Sequence, residues 1–240
     1  MPAFYQTSPD TASLRTTVLE VTAVKKKPAL SLAEDILYPG GGGQPCDTGT
    51  VTLGSGARVA VSRVLKINGK VYAVLAEDAA VTAGDEVTVE VDWPRRFLNM
   101  RYHTAAHVLM AVIKRAVTGY AASSIEIAPD GSKCDLRFDG SYDGNREQAS
   151  KFVDEANAII AEGRAVRVEE YETLEDGVTA HADIYRGPDA MKGRVSIVVI
   201  DRLDANPCGG THLPNVADAG VITLVDTAPG RVTFTLDARA

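Results

Sequence analysis

The chain changes character at Trp93-Pro94. Before this point, short valine-rich runs are separated by turn signals, and after it apolar residues recur at helical spacing. Proline suits the first turn of a helix, because its missing N–H group would have no intrahelical partner there. The sequence therefore predicts two domains, which comprise residues 1–92 and 93–240.

The first domain is predicted to be a small β-barrel. Its predicted strands are rich in β-branched residues and comprise Thr17–Val24, Arg58–Leu65, Lys70–Leu75 and Glu86–Asp92. Asn68-Gly69 lies between two of these runs and is a strong signal for a tight hairpin. Closely spaced strands joined by tight turns are typical of a barrel.

The second domain is predicted to be α+β. Apolar residues predict one helix from Trp93 to about Val117 and another over Arg146–Ala161, in which they keep nearly ideal helical spacing. The predicted strands are Cys134–Phe138, Ala165–Tyr171, Val195–Ile200, Val221–Val225 and Val232–Leu236. This set of helices and strands predicts an α+β domain.

Composition limits the partners and the compartment. Hydrophobic residues make up 45% of the chain, yet no apolar run is long enough to span a bilayer, so we expect no membrane partner. The first ten residues do not have the pattern of a secretory signal, and three cysteines do not suggest a disulfide framework. Together these features favour a cytoplasmic protein.

The net charge of −7 opposes non-specific binding to nucleic acid. A local basic surface is still compatible with it. Lys25–Lys27 form one cluster, which we interpret as solvated surface charge. A second basic cluster lies around the histidines at positions 103 and 107. Arg95, Arg96 and Arg101 precede them, and Lys114 and Arg115 follow them.

Two short motifs carry the chemistry. His103-Thr-Ala-Ala-His107 falls within a predicted helix, where residues four positions apart lie on one face, so both imidazoles can reach one ion. Far downstream, Cys208-Gly-Gly-Thr-His212 has two glycines that allow a tight loop. Three imidazoles and one thiolate form a ligand set that is typical of zinc and unsuited to magnesium or calcium.

Either motif alone has an ordinary structural explanation. A single HxxxH on an amphipathic helix more often reflects packing or surface position than metal binding, and a single C-x₃-H is weaker still. However, three of the four histidines of the chain fall in these two motifs. This concentration favours a shared zinc site formed by His103, His107, Cys208 and His212.

The two motifs resemble those of the AlaX-type alanyl-tRNA editing proteins and of the editing domain of alanyl-tRNA synthetases. Tyr38-Pro-Gly-Gly-Gly-Gly-Gln-Pro-Cys-Asp-Thr-Gly49 is similar to the YP-x-GGGQP-x-D-x-G signature of the medium and long members. Leu136-Arg-Phe-Asp139 and Arg231–Leu236 resemble strands of the same family. The resemblance implies an editing domain like the second additional domain of threonyl- and alanyl-tRNA synthetases.

The resemblance also implies a function. It suggests a zinc-dependent hydrolase that acts on tRNA(Ala) mischarged with serine, and also glycine, by cleaving the ester that joins the amino acid to the terminal ribose. At 240 residues the chain is too short to hold the activation and tRNA-recognition domains as well, which favours a freestanding editor. The resemblance leaves the oligomeric state open.

Further residues are candidates for substrate contacts. We expect Gly41, Gly42, Gly43 and Gln44 to form a wall of the editing pocket, where bare backbone can approach a ligand closely. Arg95 and Arg96 are expected to contact tRNA phosphates. The hydroxyls that could recognise the serine side chain belong to Thr104, Ser123, Ser124 and Thr211, although each also suits an ordinary capping or surface role. Thr104 and Gln44 are the candidate catalytic residues.

The role of the metal is not decided by the sequence. Four protein ligands usually close a tetrahedral site, so zinc could expand to five ligands, exchange one of them, or only position the substrate. Two other functions remain open: a non-catalytic, zinc-stabilised tRNA-binding module, and a zinc hydrolase of small esters or amides. The chain has no HExxH motif, so a metalloprotease would have no general base.

Overall fold

The computed structural model describes residues 3–120, 123–185, 187–188 and 191–237. The chain forms two compact units. The barrel unit consists of the residues up to Gly41 and of Pro45–Phe97, and the α+β unit consists of Gly42–Gln44 and of the residues from Leu98 onward. The predicted division into independent domains at residue 92 stays a prediction, because compactness alone does not test independent folding.

The barrel unit is a closed antiparallel barrel, as predicted. After a short helix α1 (Phe4–Thr7), its strands are β1 (Ser13–Val24), β2 (Lys27–Leu32), β3 (Gly49–Thr52), β4 (Arg58–Ile67), β5 (Lys70–Leu75) and β6 (Glu86–Val91). The order around the barrel is β1-β2-β5-β4-β3-β6. Valine and leucine fill the interior, and Val51, Val64, Leu75 and Val89 are completely buried. Closure leaves no unpaired edge strand.

The α+β unit contains two antiparallel sheets. The long helix α2 (Trp93–Ala116) begins in the barrel unit, and from Leu98 onward it belongs to the α+β unit. The other elements of this unit are β7 (Ser123–Ile127), β8 (Cys134–Phe138), α3 (Arg146–Glu162), β9 (Val166–Tyr171), α4 (Leu174–Ala180), β10 (Val195–Ile200), β11 (Asp204–Pro207), β12 (Ile222–Ala228) and β13 (Arg231–Leu236). One sheet has the order β12-β13-β8-β7 and the other β11-β10-β9. This confirms the predicted α+β fold. Among the described residues, no helix has both the length and the apolar character that crossing a bilayer requires.

Helix α2 positions the site. Its middle is buried on nearly every side: Ala105, Ala106, Val108, Leu109 and Ile113 are 0% exposed. These side chains belong to one large core that also includes apolar residues of α3 and of both sheets. Because the helix is held all around, side chains that project from it have little freedom to reorient.

A buried ion pair organises the barrel unit near the glycine-rich motif. Arg96 and Asp47 are 0% and 1% exposed, and the Arg96 Nε donates to both carboxylate oxygens at 3.0 and 2.9 Å. The guanidinium also donates to the carbonyls of Pro9 and Ile36, and Asp47 accepts the Tyr38 N–H at 2.7 Å. This ion pair therefore ties together three distant segments of the barrel unit.

We expect Arg96→Met to lower the free energy of unfolding by about 3–5 kcal/mol, because it leaves the Asp47 carboxylate buried without its countercharge. Urea denaturation measures this change. Arg15→Gln is the control, because it removes an arginine whose partner Glu86 and whose own side chain are both largely exposed. A loss for Arg96→Met no greater than that of the control would contradict the structural role of the buried pair.

Candidate metal centre

The structure brings the four predicted ligands together. His103, His107, Cys208 and His212 each offer a ligand atom, and these atoms all lie within 4.8 Å of one another. The three histidines are at most 4% exposed. The ring centroids of the imidazoles are 4.3–5.1 Å apart. Such a dense group of donors is the arrangement that a single cation requires.

Local structure explains this convergence. His103 and His107 lie one turn apart on α2 and project from the same face. Cys208 follows directly after β11, and Gly210 lets the chain pass close to the helix. A Cβ atom at Gly210 would lie 2.2 Å from His103 Cε1, so only glycine fits. The sequence pattern CGGTH is therefore a packing requirement as well as a source of ligands.

The thiol lies at the centre of the cluster. Cys208 Sγ is 3.5 Å from His103 Nε2 and 3.4 Å from His212 Nε2, and the Gly210 N–H donates to it at 3.4 Å. Both Nε2 atoms therefore face the sulfur. His107 Nδ1 is buried and has no hydrogen-bond partner among the described residues. A buried ring nitrogen without a partner costs stability, which coordination of a cation in this cluster would offset.

Burial sets the protonation states. It lowers the pKa of His103 to about 4 and the pKa values of His107 and His212 well below 6.5, with repulsion between neighbouring imidazoles adding to the effect for the latter two. Burial raises the pKa of the Cys208 thiol to about 11. The imidazoles are thus neutral and have lone pairs to donate, whereas the thiolate needs a cation to stabilise it. Neutral nitrogens with one thiolate fit Zn²⁺.

Gln44 fixes the tautomer of His103. Its Oε1 lies 2.8 Å from His103 Nδ1 and accepts the Thr211 N–H at 3.1 Å, while its Nε2 donates to Thr211 Oγ1 at 2.8 Å. A carboxamide oxygen can only accept, so Nδ1 carries the proton and the lone pair remains on Nε2, next to Cys208. Gln44 thus orients His103 in the way that partners of metal-binding histidines do.

Thr104 contacts the Nδ1 atom of His212 in the same way that Gln44 contacts the Nδ1 atom of His103. It is completely buried, and its Oγ1 accepts the Leu213 N–H at 3.1 Å and lies 3.3 Å from His212 Nδ1. Gln44, Thr104 and Thr211 are therefore not lining residues of the cleft described below. They are at most 2% exposed and contact residues of the metal site and its loop, and their predicted roles in substrate binding and catalysis stay predictions.

We expect Gln44→Leu to weaken zinc binding by about 10–100-fold, because it leaves His103 Nδ1 and the Thr211 N–H without an acceptor. Competition with a chromophoric chelator measures the affinity. Gln148→Leu, a partly exposed change on α3, is the matched control. Equal zinc affinity in the Gln44→Leu variant and the wild type would show that Gln44 does not support the ligand.

The cluster opens into a cleft of about 330 Å³. Its lining residues come from the glycine-rich motif, α2, β7 and the segment around β11: Gly42, Gly43, His103, His107, Met110, Ser123, Ser124, Ile125, Asn206, Pro207, Cys208 and Gly209. Among the predicted substrate contacts, Gly42, Gly43, Ser123 and Ser124 thus line the cleft. Gly41 belongs to the barrel unit, where its carbonyl accepts the Tyr38 hydroxyl at 2.8 Å.

Close backbone approach holds the glycine-rich motif against β7. The Gly43 carbonyl accepts the Ile127 N–H at 2.9 Å, and a Cβ at Gly43 would lie 1.7 Å from the Ile125 carbonyl oxygen. Gly43 also has φ +84°, a conformation that side chains disfavour. Gly42 and Gly43 thus line the cleft with bare backbone, which at Gly43 depends on the absence of a side chain, and their contact with substrate stays a prediction.

The members of the predicted basic cluster differ in exposure. Arg96 is fully buried in its pair with Asp47, so its predicted contact with a tRNA phosphate is wrong. Arg95 is half-buried and donates to the Cys46 carbonyl at 3.2 Å, and its predicted phosphate contact stays a prediction. Lys114 is buried too.

Sequence reasoning missed the buried polar group around Lys114. Its Nζ lies 3.2 Å from Asp204 Oδ1 and 3.0 Å from Asn206 Oδ1, and the side chains of Lys114 and Asp204 are 3% and 2% exposed. Asp204 and Asn206 belong to β11, which leads directly into Cys208. This group therefore fixes the strand that presents the thiol to α2. The only signal in the sequence is that Lys114 lies two helical turns after His107, on the same face of α2.

Comparisons with known proteins show two kinds of similar protein. No protein-family model matches the chain. The chain is 32% identical over 198 residues to the alanine–tRNA ligase of Metallosphaera sedula, which covers 82% of this chain and 22% of the ligase. It is 29% identical over 199 residues to the corresponding ligase of Sulfurisphaera tokodaii, with the same shares.

A second kind of relative covers more of the chain. The alanyl-tRNA editing protein AlaX-L of Pyrococcus horikoshii is 27% identical over 222 residues, which are 92% of this chain and 53% of that protein. The chain is therefore similar both to an alanyl-tRNA editing protein and to one segment of the alanine–tRNA ligases. It spans about a fifth of the ligases and about half of AlaX-L.

Proposed function

We propose that the chain is a zinc-dependent hydrolase that removes serine from mischarged tRNA(Ala), with glycine as a second amino acid to test. The observation that carries the proposal is the buried cluster of His103, His107, Cys208 and His212, three of which line a cleft. The names of the relatives support the class of substrate, since AlaX-L is called an alanyl-tRNA editing protein.

The four ligands would hold Zn²⁺, which could polarise the ester carbonyl or activate water when bound. Gln44 and Thr104 hold the His103 and His212 rings in place, so the donor atoms are preorganised. Gly42, Gly43 and Gly209 line the cleft without side chains, and this leaves room for the ester and the terminal ribose.

Selectivity requires that alanine is spared although serine differs by a single hydroxyl. A polar group that bonds this hydroxyl would be left unpaired with alanine, which disfavours the correct aminoacyl-tRNA. Ser123 and Ser124 line the cleft and are the candidates for this role. Ser123 Oγ lies 2.8 Å from Met110 Sδ, a weak acceptor, whereas Ser124 is exposed. Because water solvates an exposed hydroxyl when serine is absent, we assign the recognition of the serine hydroxyl first to Ser123, which is half-buried.

Deacylation of charged tRNA tests the proposal. The purified chain is mixed separately with seryl-, glycyl- and alanyl-tRNA(Ala), and the remaining ester is followed with and without a zinc chelator. We expect rapid loss of serine, little loss of alanine, and inhibition by the chelator. Binding of tRNA without loss of any amino acid would instead favour a non-catalytic module, and hydrolysis of small esters without a need for tRNA would favour a general esterase.

A further inference from the structure

The turn between β1 and β2 has an unusual conformation for its residues. Val24 pairs with Lys27, so Lys25 and Lys26 form a two-residue loop. Both adopt left-handed backbone angles, with φ values of 50° and 67°. Two-residue hairpin loops of this kind require positive φ at both central positions and are usually built from asparagine and glycine. Lysine gains nothing in this region that offsets its steric cost.

The same barrel contains a second hairpin that uses the expected residues. Ile67 pairs with Lys70, and the loop residues Asn68 and Gly69 have φ values of 50° and 83°. The two loops thus have the same length and the same sign of φ, yet only one of them uses residues suited to it. The lysines at the first turn are therefore not explained by the needs of the turn itself.

The charges at this turn are also unpaired. Lys25, Lys26 and Lys27 are all exposed, and none of them forms an ion pair among the described residues. Three other cations of the barrel strands each have a carboxylate partner: Arg15–Glu86, Arg58–Glu90 and Lys70–Glu20. Three adjacent free ammonium groups in a chain of net charge −7 form a local positive site in an acidic protein.

We propose that this lysine hairpin, Lys25–Lys27, binds the phosphate backbone of RNA, and the proposal rests on the proposed function in taking tRNA as that RNA. Ammonium groups on flexible stems contact phosphates as point charges and carry no sequence information. The hairpin thus contributes affinity and orientation rather than recognition of the amino acid. The turn presents three exposed lysines at the end of the β1–β2 hairpin.

The test replaces the loop with its counterpart from the same barrel. Lys25→Asn/Lys26→Gly removes two charges and supplies residues suited to the turn, so the variant should fold with an equal or higher Tm. The control, Arg63→Gln/Lys66→Gln, removes two exposed charges from β4 and reaches the same net charge. Binding of an uncharged tRNA(Ala) transcript is measured by fluorescence anisotropy over a range of salt concentrations.

We expect the hairpin variant to bind the transcript on the order of tenfold more weakly at low salt, with a slope of log K against log salt that is smaller by about two. The control should keep affinity and slope close to those of the wild type. Equal losses in both variants would reduce the effect to net charge and overturn the proposal. Loss of binding to phosphatidylserine vesicles, with binding to tRNA intact, would overturn it in favour of a membrane surface.

The outcome is separable from that of the proposed function. If the wild type deacylates seryl-tRNA(Ala) while the hairpin variant binds the transcript normally, the function stands and the lysine hairpin has no role in RNA binding. If the wild type deacylates nothing but loses transcript binding when the hairpin is changed, the RNA contact stands and the hydrolase assignment fails.

Discussion

Cys208→Ala is expected to reduce bound zinc from about one equivalent to almost none and to lower deacylation of seryl-tRNA(Ala) by more than about a hundredfold. The change removes the only thiol of the cluster and leaves three buried, neutral imidazoles. Removing a residue that only hydrogen-bonds to a metal ligand already lowers metal affinity or activity by about 10–100-fold. Loss of a ligand, and of the negative charge that it contributes, should cost more. Atomic absorption on the purified variant measures the zinc content.

Cys46→Ala is the matched control, because Cys46 is a free, half-buried cysteine that belongs to the barrel unit. It should retain both zinc and activity. Circular dichroism separates loss of metal from loss of fold. Cys208 only packs against the large core of the α+β unit and is not one of its buried members, so we expect the variant to keep the wild-type spectrum. Wild-type zinc content in Cys208→Ala would remove Cys208 from the ligand set, and with it the metal centre as described.

Gly210→Ala adds a single methyl group and should nevertheless lower zinc binding and deacylation almost as much as Cys208→Ala does. The added Cβ would lie 2.2 Å from His103 Cε1, 2.4 Å from His103 Nδ1 and 3.0 Å from Gln44 Oε1. The ring cannot move away without breaking its hydrogen bond to Gln44 and turning Nε2 away from Cys208. We therefore expect zinc affinity and deacylation to fall by about a hundredfold, the upper part of the range for disturbed support of a ligand.

The neighbouring glycine supplies the control. A Cβ at Gly209 would meet no atom within 4 Å, although Gly209 lines the same cleft. Gly209→Ala should therefore keep its zinc, and any effect on activity should appear as weaker substrate binding. Zinc titration of the two variants side by side checks the difference. Equal zinc affinities would mean that the loop relaxes easily and that His103 is not held by close packing.

The sequence predicted the metal centre because its signals are local. Two histidines four positions apart on a helix, and a cysteine and a histidine around two glycines, each specify geometry within a few residues. The barrel was predictable for a similar reason, since alternating valines mark β4 and β6. Strand β2, Lys27–Leu32, was missed because its face opposite the core is also buried at Ala29 and Ser31, which removes the alternation.

The fate of charged residues was harder to predict. Arg96 and Arg95 are adjacent and chemically identical, yet only Arg96 is fully buried, because Asp47 meets it from 49 positions away. Lys114 likewise pairs with Asp204, which lies 90 positions further along the chain. No local pattern separates a buried ion pair from solvated charge when its partner is so distant in the chain. For the same reason the sequence assigned Gln44 to a pocket wall rather than to His103.

The position of Gln44 in the chain has a consequence for truncated forms. A fragment that starts after residue 92 would retain every proposed zinc ligand and most of α2, but it would lack the amide that selects the proton position on His103. The contact joins residues 59 positions apart, so forming it costs more conformational entropy while the intervening segment is unfolded. Maturation of the centre is thus coupled to the synthesis and folding of a segment that supplies no ligand at all.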